Sequence, residues 1–135
     1  MSHAFVGLSP SRSAGERFTL VKPFSVIIFW LLEQLLHDLT DDGTIYGLVS
    51  LAEGAGLSES DCRLLGKRIR EWMDLEGYEY LAWFIADDVE DIPARLLPKF
   101  VEEYLLAFER FLGCCSGFRV VDCAKPVGRQ KGRGR

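Results

Sequence analysis

The sequence predicts a single, mainly α domain of four or five helices, with at most a minor β element. Two observations carry this. Apolar residues recur at helical spacing in separate stretches that begin near Phe24, Thr44 and Pro98. Hydrophobic residues also make up 48% of the 135, enough for one core and too many for a disordered chain.

Taken in order, residues 1–22 read as a flexible N-terminal arm, in which only Phe18, Leu20 and Val21 have the makings of a packed or short extended piece. Residues 23–123 form the helical domain. Pro23 suits a first helical position, because its missing N–H lies where no intrahelical acceptor is available. The helix expected over Phe24–Leu39 is apolar on nearly every side in its first half, so it should be central or form an interface between copies. Asp41-Asp42-Gly43 reads as a turn. A second helix is expected over Thr44–Glu53, interrupted by Gly54 and Gly56, with Gly56 supplying a left-handed turn. Ser58 or Ser60 then caps a third helix, to about Glu76, whose buried stripe is Cys62, Leu65, Ile69, Trp72 and Met73.

Tyr78–Ile85 fits either period, with helix favoured because no hairpin turn follows. Pro98 opens the last main helix, which Gly113 stops after an apolar stripe from Phe100 to Leu112. Phe118–Cys123 reads as a strand that needs a partner, either Phe18–Val21 or Tyr78–Leu81. Residues 124–135 read as a disordered basic tail.

Within residues 44–76, Leu51, Ala52, Ala55, Gly56, Leu57, Cys62 and Leu65 stand where a helix-turn-helix motif wants apolar, small and glycine residues. The stretch over about 48–76 resembles that DNA-binding motif, and Ile69–Tyr80 resembles the entry to its winged variant. The resemblance implies that the second helix of the pair lies in the major groove of double-stranded DNA. Ser60, Arg63, Lys67, Arg68 and Arg70 would then face the duplex. The basic tail, with Lys125, Arg129, Lys131, Arg133 and Arg135, would add attraction to the phosphates. On this reading the chain is a small regulatory protein, and a homodimer would set the half-site spacing.

Charge supports a different reading. Residues 1–123 hold 20 Asp and Glu against 11 Lys and Arg, a net −9, while the tail carries +5. The run Asp87–Asp91, with Asp87, Asp88, Glu90 and Asp91, suits an acidic module that meets a basic protein partner, as an inhibitor, immunity or adaptor protein does. No enzyme is expected, because the chain has no phosphate loop, nucleophile motif or metal signature. Glu33, His37 and Asp41 share four-residue spacing, but they also make the polar face of a half-exposed helix. Cys62, Cys114, Cys115 and Cys123 lack both disulfide-framework and zinc-ligand spacing. Reduced thiols point to the cytoplasm. Val26–Leu32 is too short to span a membrane, and no cofactor is implied.

Overall fold

A computed structural model of the chain describes residues 3–75 and 77–123. The domain is mainly α. Five helices pack with a four-stranded antiparallel sheet: α1 (Ser25–Leu36), α2 (Asp42–Val49), α3 (Glu59–Met73), α4 (Gly77–Ile85) and α5 (Leu97–Gly113). The strands are β1 (His3–Gly7), β2 (Arg17–Thr19), β3 (Gly56–Ser58) and β4 (Gly117–Asp122), in the order β2-β1-β4-β3.

The N-terminal stretch is therefore not an arm. It supplies β1, which pairs with β4 from His3↔Asp122 to Gly7↔Phe118, and β2, which pairs with β1. Period-two alternation puts Phe5, Phe18, Leu57, Phe118 and Val120 on one sheet face, and all five are buried. That face meets α5, where Phe108 and Phe111 pack their rings among Phe5, Phe18 and Phe118. Burying these rings binds the first two strands, the last strand and α5 into one core.

The third helix follows its sequence in cap and stripe, but it ends at Met73 and Trp72 is only half-buried. Ser58 accepts a hydrogen bond from the Asp61 N–H, which caps α3, and Cys62, Leu65, Ile69 and Met73 are its buried stripe. The helix before it ends earlier than its periodicity suggests. Asp41 caps α2, and after Val49 the Ala52 N–H bonds the Gly47 carbonyl while the Leu51 N–H bonds that of Leu48. This is a Schellman stop, with Leu51 rather than glycine in the left-handed position at φ 57°. Leu51 and Ala52 consequently lie outside the helix.

The glycine roles change too. Gly54 takes the positive φ of 84°, whereas Gly56 sits in β3, where a Cβ would lie 1.9 Å from the Phe118 carbonyl oxygen. Gly56 is needed for close strand approach rather than for a left-handed turn.

Helix α1 is less central than its composition suggests. Ile27, Ile28, Leu31, Leu32 and Leu36 are buried, but Val26 is exposed and Trp30 is half-buried. Residues 77–85 are helical, and the acids that follow begin in a single 3-10 turn, Ala86–Asp88. Among the described residues no helix is long and apolar enough to cross a membrane.

Candidate functional site

The four basic residues of α3 do not share one open surface. Arg63 donates to Glu59 one turn earlier at 2.7 Å. Arg68 reaches back to α1, bonding both Asp38 oxygens at 2.5 and 3.1 Å and the Leu35 carbonyl at 2.9 Å. That carbonyl is in the last turn of α1, where a cation meets the negative end of the helix dipole. The Arg68 guanidinium holds the Asp38 carboxyl below its ordinary range. Arg70 forms a two-pronged pair with Glu109 of α5, at 3.0 and 2.5 Å. Among the described residues only Lys67 of the four lacks a carboxylate partner. Ser60 lies within 3.3 Å of the Ser58 hydroxyl, at the start of the helix.

The geometry of the helix pair also differs from the expected one. Residues 50–58 connect α2 to α3 and include a strand, so the connection is more than a tight turn. The close contact in this region is between Gly47 and Ala55, where a Cβ on Gly47 would stand 3.2 Å from the Ala55 side chain, and Ala52 is exposed. The stretch 69–80 leads into α4 rather than into the strands of a wing. The tail residues Lys125, Arg129, Lys131, Arg133 and Arg135 lie outside the described residues.

A different surface comes together around α4. Gly77, Leu81, Ala82 and Ile85 are its buried face. The opposite face carries Tyr80, Trp83 and Phe84, of which Trp83 is 73% exposed and Tyr80 49%. Successive ring contacts join these to neighbouring helices. Trp72 of α3 lies 5.7 Å from Trp30 of α1, Trp30 lies 5.8 Å from Tyr80, and Tyr80 lies 6.0 Å from Trp83. One helical turn beyond Trp83 begins the acidic run. Asp87, Asp88, Glu90 and Asp91 are all exposed, and among the described residues none has an ion pair.

Exposed Tyr and Trp side chains have only two rotatable angles and can anchor a partner at low entropic cost. Carboxylates beside them favour cations, which are also attracted to ring faces. The acids are visible in the sequence alone, whereas the aromatic half depends on 77–85 being helical. Leu81, Ala82 and Ile85 then occupy one side and leave Tyr80, Trp83 and Asp87 on the other.

The remaining candidates do not assemble. His37 follows α1 and Asp41 caps α2, so Glu33, His37 and Asp41 belong to three different local settings. No group of three or more His, Cys, Asp or Glu residues is placed to hold a metal ion among the described residues. All four cysteines are free thiols, and burial pushes Cys62 up to about 12.

Comparisons of the chain with protein-family models, with curated proteins and with solved structures found no match.

Proposed function

We propose that the protein is an acidic protein-binding module whose contact surface is Trp30, Tyr80 and Trp83 together with Asp87, Asp88, Glu90 and Asp91. The observation that carries this reading is an aromatic row, exposed at Tyr80 and Trp83, that leads into four carboxylates without counter-ions among the described residues. The partner it fits is a basic protein surface. Its lysines and arginines pair with the acids, and its apolar or cationic groups cover Trp83 and Tyr80. Attraction between the acidic run and such a surface would speed association and make it salt-dependent.

Double-stranded DNA is the second reading. It is favoured by Lys67, which is exposed and without an ion pair among the described residues, and by the tail charge. It ranks second because the carboxylates of Glu59, Asp38 and Glu109 already balance Arg63, Arg68 and Arg70. Counter-ion release by such paired arginines is small, so they add little to phosphate affinity.

Two experiments in parallel separate the readings. Affinity capture with the intact chain is repeated with Asp87, Asp88, Glu90 and Asp91 changed to Ser, and separately with Trp83→Ala. Duplex DNA titrations at several salt concentrations compare the full chain with one ending at Cys123. The protein-binding reading expects both surface variants to lose the same captured protein. An unchanged capture profile, together with DNA binding that persists without the tail, would overturn it in favour of the second.

A further inference from the structure

Away from α4, a second aromatic feature lies where the start of α1 meets the first half of α5. Phe24, Phe100, Glu103 and Tyr104 line an open depression of about 260 Å³. The Phe24 and Tyr104 rings are 5.5 Å apart and tilted by 39°. Tyr104 is fixed from two sides. Its hydroxyl accepts a hydrogen bond from the Val21 N–H at 3.4 Å, and behind it Phe18 packs ring to ring at 5.1 Å. Burial raises its phenol to about 12, so the ring is neutral at ordinary pH. Phe100 is 44% exposed, although it falls in the apolar stripe that the sequence assigns to the core. Glu103 is exposed and has no ion pair among the described residues, because Lys99 is turned toward Glu102 at 3.9 Å.

Three ring surfaces and one carboxylate in a single depression make a chemically specific receptor. An uncharged apolar group would satisfy the rings but leave the carboxylate facing a desolvating neighbour. An anion would be repelled by Glu103. A cation satisfies both, through the electron-rich ring faces and the carboxylate together. Between the two cationic side chains, a guanidinium is flat enough to lie on a ring. It can also donate two parallel N–H groups to the carboxylate, which an ammonium cannot do.

We propose that this depression is a binding site for an arginine side chain presented by another protein. None of its residues belongs to the Trp30–Asp91 surface, so either inference can fail without the other.

The test is a titration of the isotope-labelled full chain with acetylated arginine amide, followed by amide and side-chain resonances. Acetylated citrulline amide, the neutral isostere, and acetylated lysine amide serve as comparisons. The inference expects saturable shifts at Phe24, Phe100, Glu103 and Tyr104 with a millimolar dissociation constant. Lysine should bind more weakly, and citrulline by about tenfold or more less tightly. Glu103→Gln and Phe100→Ala, both at exposed positions, should each weaken arginine binding by about threefold or more with an otherwise unchanged spectrum. Equal binding of arginine and citrulline would overturn the inference. So would shifts confined to Asp87–Asp91, or full arginine binding by both variants. Lys22 is exposed close to Phe24, so Lys22→Ala is included. Arginine binding seen only in that variant would mean that the chain's own lysine fills the depression, which also contradicts the proposal.

Discussion

Replacing Trp83 and Phe108 by alanine, one at a time, should divide the aromatic residues into those that hold the fold and those that serve the surface. Phe108 is fully buried, with ring centroids 4.9 Å from Phe18, 6.0 Å from Phe5 and 6.4 Å from Phe111. Removing it leaves a cavity between α5 and the sheet and should cost about 3–5 kcal/mol. Measured against a typical total of about 5–15 kcal/mol, that is a large part of the stability. Trp83 is 73% exposed and, among the described residues, has a ring contact with Tyr80 alone. Its removal should cost under about 1 kcal/mol, the worth of one edge contact on a solvated face. Urea unfolding followed by far-ultraviolet circular dichroism measures both without relying on tryptophan emission. A loss at Trp83 comparable to that at Phe108 would mean that the indole is structural. The aromatic half of the proposed contact surface would then have to be abandoned.

Other consequences are more local. Gly56→Ala should destabilise by about 1–3 kcal/mol or more in thermal unfolding, because its Cβ would lie 1.9 Å from the Phe118 carbonyl oxygen. Gly113→Ala, whose added Cβ would meet no tertiary neighbour within 4 Å, should be nearly neutral. The Asp38 carboxyl, held low chiefly by its hydrogen bond from Arg68, should titrate below the usual aspartate range in a carbon-detected NMR titration. Arg68→Ala should return it upward. Because its folded value is depressed, whatever the pair contributes is present above that range and lost as pH falls. At alkaline pH the sign reverses. Cys62 and Tyr104 both rise to about 12, so the folded chain keeps protons that the unfolded chain releases. Stability should be full below about pH 9 and decline towards pH 12, by up to about 1.4 kcal/mol per pH unit for each group. In Cys62→Val the decline between about pH 9 and 10 should be shallower in urea titrations at stepped pH.

Much of the helical part of this fold is legible in the sequence because its causes are local. The α3 stripe of Cys62, Leu65, Ile69 and Met73, its Ser58 cap and the proline near the start of α5 are each set within a turn or two. The sheet is not legible in that way. β1 is five residues long with a glycine at its end, and besides the short β2 it pairs with β4, more than a hundred positions away. Nothing in His3–Gly7 alone announces a partner, so the segment looks like an arm. β3 is three residues long and exists because β4 lies beside it.

The same distance hides the state of the α3 arginines. Their spacing shows a basic stripe, but Asp38 and Glu109, which balance Arg68 and Arg70, are 30 and 39 positions away. Trp30 and Tyr80 likewise meet only through the packing of α1 against α4. The acidic run needed no tertiary information, since four carboxylates in five residues stay solvated wherever the loop lies.

The most direct test of a protein-binding role is site-specific photo-crosslinking from position 84 of the intact chain, beside Trp83 and 44% exposed, in extract of the cells it comes from. A crosslinker at Tyr46 of α2, exposed at 72%, serves as the control. One basic protein should be joined at position 84 and be absent from the Tyr46 control. It should also be lost when Asp87, Asp88, Glu90 and Asp91 are changed to Ser. Crosslinks that are the same from both positions, or that persist without the four acids, would contradict it.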